Sequence, residues 1–265
     1  FAPDIYSFVT LRLIQGVAGA GGIVISRSVA TDKFSGKELA KMLAVIGAIN
    51  GVAPVAAPVI GGLLTGSVGW QGIFMILLFI GILLGIGCIR FKESLPTEKR
   101  SKTGVFATFR SFGIIVHNRR YMLYVLQLAF AQGILFAYIA SSPFIIQQHY
   151  GFSPFAFSIC FAVNAVAIGV AAAISVKFRR TENGTLTGCI GMLVFAILQM
   201  AALYSGCGFW TYELLMFALL FMMGLTFTAS TTLAMDCERR YAGAASALLS
   251  ALCFASGGIV SPLVG

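Results

Sequence analysis

The sequence predicts an all-α, polytopic membrane protein, and three observations carry that prediction. Hydrophobic residues make up 58% of the 265 residues and charged residues only 10%, with a mean hydropathy of +0.93. Soluble globular chains run at about 45–50% apolar and about 25% charged. So little charge could not cover a soluble surface of this size, which excludes a water-soluble enzyme, a nucleic-acid binder and a disordered protein. The apolar residues also gather into runs long enough to cross a hydrocarbon core about 30 Å thick, which takes about 20 residues of helix. Lastly, the connections between these runs alternate sharply in charge. The roughly ten-residue alternation of a membrane barrel is not visible.

The runs lie at 4–29, 39–65, 71–89, 121–147, 153–176, 184–204, 211–234 and 241–265, eight in all with the last cut short. Connections near 66–70, 148–152 and 205–210 contain no Lys or Arg. Every basic residue except Arg12 falls in the other connections or on their flanks, a bias that marks that side as cytoplasmic. The same side holds every acid except Asp4 and Glu213, so the net charge of +9 is a topology signal that calls for no nucleic acid. Weak attraction to anionic lipid is compatible with it. The chain starts at Phe1 without an initiator Met and stops at Gly265 within an apolar run, as expected of a fragment.

The first run carries the only buried base. An arginine at a helix centre costs about 2.5–3.5 kcal/mol on insertion scales, so Arg12 must meet a partner or a water-filled cavity. Gln15, Gly16 and Gly19 share its face. Coupling or substrate handling is one reading; a structural arginine paired with a carboxylate or with backbone carbonyls is the other.

The second run bears a stripe almost free of side chains. Gly47, Asn50, Gly51, Pro54, Pro58, Gly61 and Gly62 all lie within about 60° of Gly47 around the helix. Small residues let helix backbones approach closely, and prolines remove backbone donors and bend the helix. A bent, tightly packed helix at a moving interface is expected here, beyond ordinary helix packing.

The long basic segment 90–120 separates three runs from five. Phe106, Phe109, Phe112 and Ile115 or Val116 recur in it at helical spacing, which fits either an interfacial helix on the inner leaflet or a plain linker. In the fourth run Tyr124, Gln127, Tyr138 and Ser142 form a polar stripe, with Gln132 off it; Asn164 is an isolated amide in the fifth. Aromatics mixed with amides suit a cavity for lipophilic, partly polar ligands, and they suit helix–helix hydrogen bonding as well. Glu213, near Trp210 and Tyr212 at the outer end of the seventh run, is expected at the aromatic interface.

An internal match at an offset of 204 residues pairs Ala30-Thr31-Asp32 with Ala234-Met235-Asp236, and Ala57-Pro58-Val59-Ile60-Gly61 with Ser261-Pro262-Leu263-Val264-Gly265. Gly47, Gly51 and Pro54 meet the small residues Ala251, Ala255 and Gly258. Both copies begin at a cytoplasmic connection and enter an outward helix, and the offset spans six runs. Parallel six-helix repeats point to a twelve-span transporter. The identities are few, and chance is the competing explanation.

Enzyme signatures are missing: there is no H-E-x-x-H, no G-x-S-x-G and no Walker loop. The glycines of Gly19-Ala20-Gly21-Gly22 break the dinucleotide pattern at Val24 inside a membrane run. His117 and His149 both fall at interfaces. The six cysteines are scattered at no metal-ligand spacing and read as small apolar packing residues. No cofactor or metal is expected.

Two motifs resemble a known family. Leu11-Arg12-Leu13-Ile14-Gln15-Gly16 looks like the fourth-helix R-x-x-Q-G motif of the major facilitator superfamily. Gly47-x3-Gly51-x6-Pro58-x2-Gly61-Gly62 looks like its fifth-helix antiporter motif, with Ala57 replacing the glycine before the proline. Within the superfamily, Tyr138-Ile139-Ala140-Ser141-Ser142-Pro143-Phe144 and Ser261-Pro262-Leu263-Val264-Gly265 are similar to the drug:proton antiporters of the bicyclomycin-resistance (Bcr/CflA) group.

The resemblance implies a partial major facilitator fold, helices four to eleven of twelve. Residues 1–90 would hold helices four to six, 91–120 the central cytoplasmic loop, and 121–265 helices seven to eleven. It implies a monomeric inner-membrane antiporter exporting small lipophilic compounds against protons. Arg12 and Gln15 would serve proton coupling; the stripe from Gly47 to Gly62 would be the gate; Gln127, Tyr138, Ser142 and Asn164 would line the substrate cavity. The partners are then a small-molecule substrate, protons and the bilayer. A uniporter or symporter for a sugar or other metabolite is the nearest alternative, and a non-transporting membrane receptor is another.

Overall fold

A computed structural model describes residues 4–34, 36–91, 112–175, 177–238 and 241–264. Seven long helices account for most of them: α1 (Ile5–Lys33), α2 (Gly36–Ile89), α3 (Arg119–Pro143), α4 (Pro154–Ser175), α5 (Thr181–Tyr204), α6 (Phe209–Cys237) and α7 (Ala242–Val264). No strand occurs among the described residues. Six stretches are long and apolar enough to span a bilayer: Gly66–Ile89, Arg119–His149, Pro154–Ser175, Thr181–Tyr204, Phe209–Cys237 and Gly243–Val264. The first expected span appears in α1 as the shorter apolar stretch Ile5–Gly19.

The second and third expected spans run into one another as α2. Gly69 interrupts it, with φ 66° and ψ 177°. That backbone region is open to glycine and closed to residues with a Cβ. The uncharged connection near 66–70 is therefore a single glycine break between helices. Residues 39–65 are helical as expected. The side chains of Asn50, Pro54 and Pro58, with the surroundings of Gly47 and Gly51, lie outside the described residues.

At the start of α3, Asn118 sits in extended backbone, and its side-chain oxygen accepts from the N–H groups of Arg120 (3.2 Å) and Tyr121 (3.3 Å). Two donors that a helix start leaves orphaned are thus satisfied. The amide of the same Asn118 donates to Glu238 at 2.6 Å, which ties the foot of α3 to the end of α6. At the other end Pro143 has no N–H to give, and the helix passes into a π-helical turn, Phe144–His149.

The chain divides into two compact units, Phe1–Ala53 with Met75–Lys102, and Pro54–Phe74 with Thr103–Gly265. In the second unit α6 packs along α5, α4 and α3, while α3 also packs along α7. Two apolar cores result. One contains Tyr138, Ile146, Met192, Tyr212, Met216, Leu220 and Met223; the other contains Ile115, Tyr121, Val125, Leu128, Ala234, Ala245 and Leu249. Ile115 belongs to a short helix over residues 112–116 and is fully buried, so this end of the basic segment packs on protein. Phe106 and Phe109 lie outside the described residues.

Lipid tails are as apolar as leucine, so close packing and interhelical hydrogen bonds hold such a bundle. Ser175 donates to the Leu225 carbonyl at 2.9 Å between α4 and α6. Tyr121 donates to Ala245 and Ser256 to Ala129, each at 2.6 Å, between α3 and α7. Gly224 lets α6 lie against α4 so closely that a methyl there would stand 2.5 Å from the Ile168 carbonyl oxygen and 2.9 Å from the Ala171 methyl. Gly224→Val is expected to destabilise the bundle by about 1–3 kcal/mol, the usual cost of overpacking. Thermal unfolding in detergent checks this, with Gly169→Ala, where a methyl meets nothing within 4 Å, as the neutral reference.

Candidate functional site

In α1 the polar face predicted around Arg12 is built. Arg12 Nη1 donates to Gln15 Oε1 at 2.9 Å, one turn along the helix, and the guanidinium lies over the Phe8 ring, 5.7 Å from its centre. Both contacts hold a long, rotamer-rich side chain in one place, and the glycines of the face leave it room. At the head of the helix Asp4 Oδ1 accepts from the Ser7 N–H at 2.7 Å. Hydrogen bonds from Ser7, through its side chain and then its backbone, hold the Asp4 carboxyl below its usual range.

The last glycine of the α2 stripe makes a close approach within the second unit. A Cβ on Gly62 would collide with the Ser158 hydroxyl, stand 2.9 Å from Ser158 Cβ and 3.4 Å from the Pro154 carbonyl oxygen. Ser158 turns its hydroxyl back onto Pro154 O at 2.9 Å. The first turn of α4 is thus seated on bare α2 backbone. Gly61, next to it, has open space where a methyl would be.

The four residues expected to line a cavity separate into two groups. Tyr138 and Asn164 come together: Asn164 Nδ2 donates to the Tyr138 hydroxyl at 3.0 Å. The same amide group donates to Glu213 Oε1 at 2.8 Å. Glu213 is therefore not an interface residue beside Trp210, as the sequence suggested. Trp210 is 81% exposed, whereas the Glu213 carboxylate turns inward between α3 and α4. The signal that would have found it is its register, since Met216, Leu220 and Met223, at i+3, i+7 and i+10, are all buried. Tyr138 stacks on Phe161 at 5.4 Å between ring centres, and Tyr212 is fully buried beside Glu213. Ser142, one turn beyond Tyr138, is also fully buried.

This cluster is polar but under-satisfied. Asn164 Oδ1, Glu213 Oε2, the Tyr212 hydroxyl and the Ser142 hydroxyl are sealed from solvent without a hydrogen-bond partner. Buried polar atoms are nearly always paired, and those that are not call for an explanation. Just outside the span, Tyr150 donates to the Cys207 carbonyl at 2.9 Å and stacks near Tyr212. Desolvation pushes its hydroxyl above the ordinary tyrosine range.

Gln127 lies on another level of α3. Both its amide atoms are buried without a hydrogen bond, and with Thr226 it flanks the Cys189 thiol of α5. Eleven residues of helix, about 16 Å at 1.5 Å per residue, separate it from Tyr138, so the two cannot grip one small group together. Tyr124, on the same stripe, joins the apolar core around Tyr121. An apolar groove of about 410 Å³ between α3 and α7, lined by Phe130, Ile134, Ile259 and Val260, has Phe130 76% and Ile259 66% exposed and suits lipid tails. Among the described residues no set of three His, Cys, Asp or Glu stands close enough to hold a metal ion.

The sequence matches the family model described as Major Facilitator Superfamily over residues 1–262. It is 36% identical over 271 residues to YdgK of Bacillus subtilis, named as an MFS-type transporter, covering all of this chain and 67% of that protein. It is 28% identical to a bicyclomycin resistance protein homolog of Haemophilus influenzae, over 97% of this chain and 66% of that one. Similarity to the multidrug transporter MdfA of Edwardsiella ictaluri is 24% over 57% of this chain. The chain thus spans about two thirds of the length of the first two. Among solved structures, a bacterial homolog of the human lysosomal transporter Spinster, in an inward-facing and unoccupied conformation, superposes with a TM-score of 0.66. That match covers 89% of this chain and 57% of the other at 20% identity, and it shows the fold.

Proposed function

Because the chain belongs to the Major Facilitator Superfamily, a family of multi-pass membrane transporters, we propose that it is part of a proton-coupled multidrug efflux antiporter. It works in the bacterial inner membrane as a monomer and exports small lipophilic compounds by alternating access. Residues 1–90 supply helices four to six of the first half, 91–120 the central loop, and 121–265 helices seven to eleven of the second. The observation that carries this reading is Arg12 held by Gln15 at 2.9 Å on the polar face of α1. A charge at that depth is costly and marks proton or ion pathways more often than it marks a fold.

Each half then has its part. Arg12 stabilises the ionised form of a carboxylate on the first helix of the full-length protein. Protonation of that carboxylate releases the pairing and biases the equilibrium between the inward-open and outward-open states. The glycine–proline stripe closes one gate: with almost no side chains on that face, a neighbouring helix seats closely on it and leaves no path for protons to leak. The approach of Gly62 to Ser158 supports this role. Tyr138, Ser142, Asn164 and Gln127 offer donors and acceptors to substrate, at two depths along α3.

Similarity to a bicyclomycin resistance protein homolog makes bicyclomycin the first substrate to try. In proteoliposomes holding the full-length protein, adding it is expected to release protons, and an imposed proton gradient is expected to drive its uptake into inverted vesicles. Uptake that continues unchanged after the gradient is collapsed would overturn antiport in favour of facilitated diffusion.

A further inference from the structure

We propose that Glu213 is a proton-binding site in the second unit, separate from Arg12, with Asn164 fixing one of its carboxylate oxygens. The proposal deepens the proton-coupled reading and rests on it for its role in transport. Its geometry stands by itself. Glu213 Oε1 accepts from Asn164 Nδ2 at 2.8 Å, while Oε2 is sealed from solvent without a donor. The groups that face it are Tyr138 from α3, Cys160 from α4 and Tyr212 from α6 itself, with Tyr150 beyond Tyr212.

Among the described residues the helices packed around it place no Asp, Glu, Lys or Arg beside it, and His149, at the end of the π-helical turn after α3, meets the Tyr150 ring edge-on at 4.7 Å. Beyond their cytoplasmic ends α3, α4 and α7 carry no Asp, Glu, Lys, Arg or His, and α5 has only Glu182 in its first turn. An isolated carboxylate away from water is among the most costly groups to bury, and an intramembrane acid is by default a functional group. Neutralising it takes a cation. An organic cation or a hydrated metal ion needs space, and the unpartnered atoms here are sealed. A proton is the cation that needs no cavity.

Proton exchange at Glu213 would be felt at once by its neighbours. The protonated carboxyl gains an O–H that the ionised form lacks, and Asn164 Oδ1, on the amide already bonded to Glu213, is buried without a partner. The ionised carboxyl loses that donor and leans on Asn164 alone. Because Asn164 also donates to Tyr138, the change reaches α3 from α6 through α4. Three helices then share one proton-dependent polar junction.

The test is infrared difference spectroscopy of the full-length protein in detergent between two pH values, comparing wild type with Glu213→Gln. The glutamine keeps an oxygen that accepts from Asn164, so the fold is expected to persist, and thermal unfolding checks that it does. Loss of one protonated-carboxyl band in Glu213→Gln is the expected result. A spectrum with every carboxyl band of the wild type overturns the proposal. Asn164→Ala, which keeps the acid and removes its donor, is expected to shift that same band; a band indifferent to Asn164 would overturn the assigned hydrogen bond. Substrate-driven proton release is measured alongside: if the wild type shows none, antiport fails as a reading, and the infrared comparison still decides Glu213.

Discussion

Arg12→Ala in the full-length protein is expected to abolish substrate-driven proton release while leaving the protein folded and inserted. Insertion should tolerate the change, because removing an arginine from a membrane helix relieves a cost of about 2.5–3.5 kcal/mol. Coupling should not. Without the guanidinium, ionising the opposing carboxylate leaves a bare charge in a low-dielectric interior, and the proton is no longer released in response to substrate. Arg12→Lys is expected to restore part of the function at best, since an ammonium lacks the planar fork that reaches Gln15 and a carboxylate together. Gln15→Ala should be milder, because it removes the 2.9 Å hydrogen bond that positions the guanidinium and leaves the charge. A loss of about three- to tenfold is expected, in line with the net contribution of about one hydrogen bond. Substrate-driven proton release in proteoliposomes measures all three. Undiminished release from Arg12→Ala would remove the arginine from the mechanism.

The second large effect is expected at Gly62. Its missing side chain is filled by Ser158, whose hydroxyl would collide with a methyl there and whose Cβ, 2.9 Å away, is fixed to the α4 backbone and cannot step aside. Gly62→Leu is therefore expected to cut efflux by at least about tenfold, equivalent to about 1.4 kcal/mol on the conformation that needs this contact. Expression and mean stability should change less than transport, because the strain falls on one contact rather than on the bundle core. Gly66→Ala, where a methyl meets nothing within 4 Å, is the reference expected to transport normally. A specific rescue strengthens the test. Ser158→Gly removes the colliding atoms, so the pair Gly62→Leu with Ser158→Gly should recover activity that neither explains by adding effects. Failure of the double variant to recover would show that the glycine matters for some other reason.

Much of the membrane architecture is legible in the sequence for a simple reason. Every residue of a spanning helix meets either lipid or another helix, and both reject charge, so composition and run length mark the spans directly. The register of Arg12 and Gln15 on one face follows from helical periodicity alone, and the 2.9 Å contact agrees with it. Gly62 was legible as part of a small-residue stripe, though its seat against Ser158 was not. The join of two spans through Gly69 was not legible either, because a one-residue change in backbone leaves no mark in hydropathy.

Glu213 shows the limit most clearly. Its neighbours Trp210 and Tyr212 look like an interfacial belt, and an acid at a helix end is ordinarily solvated. In the bundle Trp210 turns out to the surface while Glu213 turns in to Asn164, a residue 49 positions away in sequence. Likewise, one polar stripe on α3 resolves into separate levels: Tyr138 with Asn164, and Gln127 with Cys189. By itself the sequence determined the class of protein, six of its eight expected spans and the family it belongs to, since these depend on properties summed along single helices. Only the tertiary structure decided which polar groups share a hydrogen bond, which glycine is pressed by its neighbour and which acid faces inward. Those depend on the rotation of each helix about its axis, which is set by the packing of its neighbours and weakly marked when nearly every face is apolar.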